Sequence, residues 1–233
     1  ASEPSAQDIV AGVEAGCNDF LLKPVDKDVL LPTVRSLLRT KQPTNNMVVD
    51  IEDVLTTLSR ASELKEGYSK SHVDRVAAYA LFLGEALGLS FEERAALRRG
   101  ALLHDIGKLG ISESILLKKG PLDVEERGEI NLHPSLGESI CRPLGQGKSV
   151  LDVVRHHHER FDGKGYPDGL KGDSIPLLAR VTAIADAYDA MTNHRPYRDK
   201  LPHSRALDIV REEAGGQFDP NLALTFCNLM RPG

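Results

Sequence analysis

"SFEERAALRRGALLHDIGK", residues 90–108, ends an apolar run on a histidine–aspartate pair. Ser90 followed by Glu93 has the form of a capping box, in which each residue satisfies a backbone amide of the other. Apolar residues then recur at helical spacing up to Leu103, so the stretch reads as an amphipathic helix. Gly107 supplies a plausible helix stop. Lys108 lies four residues after His104, which would put it on the same helix face one turn on. A buried His-Asp pair taken alone is commonly structural, the carboxylate orienting the imidazole. Lys108 changes the setting, because a metal would repel a cation there unless an anionic substrate lay between them.

The same periodicity extends outward. "SHVDRVAAYALFLGEALG", "SVLDVVRHHH", "LLARVTAIADAYDAMTN" and "HSRALDIVREEAG" all carry apolar residues at helical spacing, as does "MVVDIEDVLTTLSRASEL" further upstream. Gly88 is a second plausible helix stop. No convincing strand pattern follows residue 47, so the expected fold class is mainly α, a helical bundle. Residues 7–40 differ. "AQDIVAGVEAGC" reads as a helix, "NDFLLKPVD" as a short buried strand entering a Lys-Pro turn, and "DKDVLLPTVRSLLRTK" as a helix. "KQPTNN" is a polar break.

The chain has 233 residues, 41% of them hydrophobic, enough for one good core and a smaller appendage. A net charge of −5 argues against a duplex nucleic-acid binder, which usually presents a basic surface. Cys17, Cys141 and Cys227 are far apart and form no C-x-x-C pair, which fits a reducing compartment. No apolar run is long enough to span a membrane, and the first residues lack the order of a signal peptide. The expectation is a soluble, cytoplasmic protein without membrane insertion.

Several further residues carry metal-ligand chemistry. His72 opens a helix, and His133 precedes Pro134 at a helix start; each alone reads as a polar or capping residue. Asp186 and Asp189 lie one turn apart on an apolar helix, where unpaired carboxylates would be costly. Capping or salt bridges would serve Asp189, whereas a metal better explains the mid-helix Asp186. His156, His157 and His158 are consecutive. Helical residues rotate by about 100° each, so three in a row cannot converge on one ion. Two can, at a fraying helix end, which leaves one as a bystander.

His104-Asp105-Ile106-Gly107-Lys108, then His157-His158-Glu159 and Gly165-Tyr166-Pro167, resembles the HD-GYP family of bacterial cyclic di-GMP phosphodiesterases. "RVTAIADAYDAMTNHRPYR" and "GGQFDP" also resemble it, and the likeness covers about residues 68–225. It implies an HD-type, metal-dependent phosphohydrolase domain, a helix bundle around two or three metals. The implied ligands are His72, His104, Asp105, His133, His157, His158 and Asp186, leaving His156 outside the set. If Asp105 bridges, one ion takes His72, His104, Asp105 and Asp186, and the other takes Asp105, His133, His157 and His158. Imidazoles and carboxylates without thiolate suit two divalent transition metals, Fe or Mn first, with Ni, Co or Zn as alternatives. His104 and Asp105 are implied as catalytic along with Lys108, the phosphate-contacting lysine. Arg195 and Arg198 are implied to hold the substrate's phosphates, beside Tyr166, Gly163 and Gly165. Gly163 and Gly165 can adopt positive φ angles and bring the backbone close to a ligand. Lys164 reads either as part of a cationic rim or as a solvated charge.

The implied reaction is hydrolysis of cyclic di-GMP to linear pGpG by a hydroxide bridging the two metals, with a slower second cut to GMP. Relatives with a third metal carry a glutamate one turn before the first histidine, where this chain has Tyr68. Glu63 and Glu66 fall on other faces. Two metals are therefore expected. "DFLLKPVDKDVLLPTVRSLL" resembles the C-terminal part of a response-regulator receiver domain, a short α/β remnant in which Lys23 would contact a phosphoryl group. The expected domains are 1–42, an incomplete receiver; 43–67, a connecting helix; and 68–233, the phosphodiesterase. A sensor kinase would act through a complete receiver. By analogy, helix 47–64 would form a homodimer and the Gly-Tyr-Pro loop would dock a diguanylate cyclase. Two other readings stand beside this one: a hydrolase of another cyclic dinucleotide such as 3',3'-cGAMP, and a non-catalytic module that senses the nucleotide or binds cyclases.

Overall fold

The computed structural model describes residues 72–193 and 200–231, together with residues 56, 57, 59, 60 and 63. All lie in the unit Val54–Gly233. The proposed receiver segment, most of the connecting helix, Tyr68, Arg195, Arg198 and Cys17 fall outside these residues.

Among the described residues the structure is helical, with no strand and a single bridge between Ala214 and Phe218. In chain order the α-helices are α1 (His72–Ala86), α2 (Phe91–Leu103), α3 (Glu113–Leu116), α4 (Val124–Ile130), α5 (His133–Cys141), α6 (Lys148–His156), α7 (Leu177–Thr192), α8 (His203–Glu212) and α9 (Pro220–Leu229). Short 3-10 turns lie at Ile106–Gly110, Arg142–Leu144 and Gly172–Ser174. None of these helices is long and apolar enough to cross a membrane.

The core follows the helical period. α1 buries Val73, Val76, Ala77, Ala80 and Leu83, one stripe at three- and four-residue spacing. That stripe packs against α2 and α7. α7 is buried on nearly all sides, through Val181, Ile184, Ala185, Tyr188 and their neighbours, which makes it the central helix. α8 and α9 close the far side of the core with Ala206, Val210, Leu222 and Phe226. A smaller cluster of Leu103, Ile106, Cys141, Val150 and Val154 joins α2, the 3-10 turn after it, α5 and α6. At the α2–α6 crossing, a Cβ on Gly100 would stand 2.6 Å from Val153 Cβ, so hydrogen alone fits there. Cys141 and Cys227 are free and buried, behaving as small apolar residues.

Helix ends are set locally. Ser90 Oγ accepts from the Glu93 amide at 3.2 Å, and Glu93 Oε2 accepts from the Ser90 amide at 2.8 Å, the capping box expected for α2. Asp123 and Glu126 form a second one at the start of α4. Gly88, at φ +70°, follows the end of α1, as its position suggested. Gly107 differs from its sequence reading. α2 already ends at Leu103, and the chain passes through Asp105 (φ −97°, ψ 3°) into the 3-10 turn Ile106–Gly110. Gly107 is required by contact rather than by helix termination: a Cβ there would lie 1.9 Å from the His133 carbonyl oxygen on α5.

Candidate metal centre

Five segments converge on one buried cluster of imidazoles and carboxylates. α1 contributes His72 from its first residue, the end of α2 contributes His104 and Asp105, α5 begins with His133, and α7 contributes Asp186. His157 and His158 follow the last residue of α6, where the chain has left the helix and two adjacent side chains can turn the same way. Two groups have ligand atoms within 4.8 Å of one another: Asp105, His133, His157 and His158; and His72, His104 and Asp186.

Asp105 stands between the groups. Its Oδ1 lies 3.2 Å from His133 Nε2 and 3.9 Å from His157 Nε2. Its Oδ2 lies 3.4 Å from His104 Nε2 and 3.9 Å from His72 Nε2. One carboxylate thus offers an oxygen to each side. Asp186 Oδ1 completes the second group, 3.4 Å from His72 Nε2 and 4.0 Å from His104 Nε2.

The far nitrogens of these rings are already occupied. His104 Nδ1 lies 2.6 Å from the Ala101 carbonyl, His133 Nδ1 2.7 Å from that of Ile130, and His157 Nδ1 3.0 Å from that of Val154. His72 Nδ1 faces Asp189 Oδ2 at 2.7 Å. An acceptor at Nδ1 fixes the proton there and leaves the Nε2 lone pair facing the cluster, the arrangement that orients histidine toward a metal. His104 Nε2 is buried with no hydrogen-bond partner. A buried imidazole nitrogen without a partner, facing two carboxylates, fits a cation, and no thiolate is among the donors.

The electrostatics agree. Burial, together with repulsion from His158, His104 and His133, holds the His157 imidazole well below the usual histidine range. Burial and His133 do the same to His158. Both are neutral, as ligands must be. His104 differs: burial opposes its protonation, but Asp105 and Asp186 outweigh it and push its pKa up to about 9, so a proton and a cation compete for its Nε2. Burial also opposes the charge on Asp105, yet Lys108 and His104 keep its carboxyl well below the ordinary range. The His104 side is thus a place where carboxylates draw positive charge.

Lys108 departs from its expected place. Because α2 stops at Leu103, Lys108 is not one α-helical turn beyond His104; it sits in the 3-10 turn, where its Nζ donates to Asp105 Oδ2 at 2.8 Å. The ammonium still reaches the cluster, through the carboxylate rather than along a helix face. Tyr166 covers the other side. Its ring lies 5.0 Å from that of His158 at 30°, and 6.5 Å from that of His133. Burial and the charges of Asp105 and Asp186 raise its phenol above the usual tyrosine value, so it stays a hydrogen-bond donor.

The glycines of this loop do different jobs. Gly163 has φ +83°, as expected of it. Gly165 is not in the positive-φ region; a Cβ there would stand 2.3 Å from the Arg160 amide nitrogen and 2.6 Å from the His158 carbonyl oxygen. Its close approach is to the backbone that carries the histidines. The Tyr166–Pro167 bond is cis. The loop also bonds to "GGQFDP", with Phe161 N donating to Gln217 O and Asp162 N to Gly216 O. Lys164 is exposed, its Nζ 4.0 Å from Asp162.

His156 faces away from the cluster, with Nδ1 3.0 Å from the Asp152 carbonyl and Nε2 3.0 Å from Asp168 Oδ2. Glu63 points to the start of α1 and accepts from the Val73 amide at 2.6 Å. Asp189 is satisfied by His72, by Arg75 at 2.6 and 3.0 Å, and by Asn193. Glu159, Arg155 and Asp168, which hold the Tyr166 loop, were not singled out from the sequence. The available signal was Glu159 itself, a carboxylate directly after two histidines.

The sequence profile of the HD domain matches residues 55–222. The chain belongs to the HD domain family. The chain is 34% identical over 232 residues to the cyclic di-GMP phosphodiesterase response regulator RpfG of Xanthomonas campestris pv. campestris, covering 90% of this chain and 61% of that protein. It is 39% identical over 170 residues to 3'3'-cGAMP-specific phosphodiesterase 3 of Vibrio cholerae, covering 73% of this chain and 37% of that one. The chain therefore spans less than two thirds of either relative. Among solved structures, a cyclic GMP-AMP-specific phosphodiesterase of V. cholerae superposes with a TM-score of 0.58 at 23% identity, covering 77% of this chain and 48% of that one. The HD domain of L. monocytogenes phosphodiesterase PgpH, in complex with cyclic-di-AMP, does so at 0.53 and 16% identity, covering 76% and 92%. At these identities the structural matches speak for the fold.

Proposed function

We propose that this chain is a two-metal phosphodiesterase that opens cyclic di-GMP to linear pGpG. The observation that carries the reading is Asp105, whose two oxygens face two separate groups of imidazole nitrogens. One ion would be held by His72, His104, Asp105 and Asp186, the other by Asp105, His133, His157 and His158. Fe or Mn suits the set best, with Ni, Co or Zn able to occupy it. Bound there, the metals would supply an acidified water as nucleophile and charge to polarise the phosphoryl oxygens.

The chain's own groups prepare the substrate. The Lys108 ammonium, held 2.8 Å from Asp105 Oδ2, would bring positive charge to where negative charge develops on the phosphate. The Tyr166 phenol, beside His158, would offer a donor to the substrate. Arg195 and Arg198 would hold the phosphates of the dinucleotide, and Gly163 and Gly165 shape the wall. Tyr68, in place of a carboxylate before the first histidine, favours two metals and pGpG as the product. In the same reading residues 1–42 belong to a receiver domain addressed by a sensor kinase, helix 47–64 pairs two copies, the Gly163–Pro167 loop receives a diguanylate cyclase, and the protein works in the cytoplasm.

A second reading, hydrolysis of 3',3'-cGAMP, is favoured by the 39%-identical V. cholerae relative that bears that specificity in its name. A competition assay separates the two. Purified protein loaded with Fe(II) or Mn(II) is expected to release pGpG from cyclic di-GMP with kcat/KM at least roughly tenfold above that for 3',3'-cGAMP, about 1.4 kcal/mol of discrimination. Preference for 3',3'-cGAMP would select the second reading, and no hydrolysis of either with either metal would sink both. Tyr68→Glu is expected to raise the share of GMP.

A further inference from the structure

Arg155, on the last turn of α6, points away from the metal cluster and grips the loop that carries Tyr166. Its Nε and Nη2 donate to the two oxygens of Asp168, each at 2.7 Å. Its Nη1 donates to Glu138 Oε2 on α5 at 2.8 Å. His156 adds a contact to Asp168 Oδ2 at 3.0 Å. From the inner side the buried Glu159 accepts the amides of Asp168 at 2.8 Å and Leu170 at 3.1 Å. Residues 155–159 therefore serve two structures at once: His157 and His158 face the cluster, while Arg155 and Glu159 hold the loop.

Tyr166 lies two residues before the clamped Asp168. Its amide donates to the His158 carbonyl at 3.3 Å, and its ring covers the His158 ring. A bidentate guanidinium–carboxylate pair fixes direction as well as distance, which a single hydrogen bond does not. Because Arg155 also bonds to Glu138, the loop is tied to α5, the helix that begins with His133. The Arg155 and Asp168 side chains are 28% and 35% exposed, so solvent screens the pair's contribution to global stability while its geometry still fixes the loop.

We propose that Arg155 is a positioning residue for the cyclic dinucleotide: through Asp168 it holds Tyr166 over His158 at the mouth of the metal cluster. The inference rests on the phosphodiesterase reading above, in which Tyr166 meets substrate. It is tested with Arg155→Gln and Asp168→Asn in the metal-loaded full chain. Each variant is expected to keep the wild-type metal content and to raise KM for cyclic di-GMP roughly tenfold with kcat within about threefold. The double variant should be no worse than either single one, and Arg155→Gln in a Tyr166→Ala background should change KM by less than about twofold. Hydrogen exchange gives a readout that needs no turnover: amides of residues 160–170 should exchange at least about fivefold faster in Arg155→Gln, with α1 and α7 unchanged. If the wild-type protein hydrolysed no cyclic di-GMP while exchange behaved in this way, the functional reading alone would fail. Unchanged exchange in 160–170, unchanged KM in an active enzyme, loss of metal, or an equal loss in the Tyr166→Ala background would each overturn the role of Arg155.

Discussion

Asp105→Ala is expected to lower kcat/KM for cyclic dinucleotide hydrolysis by at least on the order of a thousandfold and to leave fewer than one metal per chain. Removing it takes an oxygen from both ligand groups at once, since Oδ1 faces His133 and His157 while Oδ2 faces His104 and His72. It also removes the carboxylate that Lys108 donates to, so the ammonium loses that contact. The comparison variant is His156→Ala, next to the ligand histidines but turned toward Asp152 and Asp168. It should fold and retain two metals. Elemental analysis and steady-state kinetics on the pair read both outcomes. A metal-free His156→Ala protein, or an Asp105→Ala protein that still turns over, would mean that the wrong residues have been placed in the centre.

Gly107→Ala is expected to be among the most disruptive small substitutions in the chain. The added Cβ would lie 1.9 Å from the His133 carbonyl oxygen and 2.5 Å from the Gly137 amide nitrogen. Both are backbone atoms, so no rotamer change relieves the overlap; the 3-10 turn must move away from α5. Overpacking typically costs about 1–3 kcal/mol, and a backbone–backbone clash belongs at or beyond the upper end. For a domain of this size about 3 kcal/mol corresponds to a fall in Tm of roughly 6–12 °C. The separation would also draw Asp105 from His133, so metal affinity should fall with stability. Thermal unfolding with and without Mn(II) checks this, because the variant should gain less from the metal than the wild-type protein does. An unchanged Tm would mean that the turn and α5 are less closely apposed than 1.9 Å implies.

The helices were legible because the core is a set of single stripes. The α1 stripe of Val73, Val76, Ala80 and Leu83, and the α6 set of Val150, Val153 and Val154, are periodic in sequence as they are in space. The α2 capping box was legible because both partners lie within four residues. The residues of the centre were brought together by motif resemblance, since nothing in local spacing links His72 to Asp186, 3.4 Å apart across the fold. The end of α2 was misread for a related reason. Gly107 looked like a helix stop, whereas its small size answers to His133, a residue 26 positions later that no local pattern reveals. Gly165 repeats the lesson: its lack of a side chain accommodates the Arg160 and His158 backbone rather than a positive φ. The Arg155–Asp168 clamp was missed because charged residues on a helix end and in a loop read as solvated until the fold pairs them.

Whether Asp105 joins two metal sites is read from anomalous diffraction by crystals of the Mn- or Fe-loaded protein. Two anomalous peaks are expected, one among His72, His104 and Asp186 and one among His133, His157 and His158, with Asp105 between them. A single peak, or peaks away from Asp105, would contradict this.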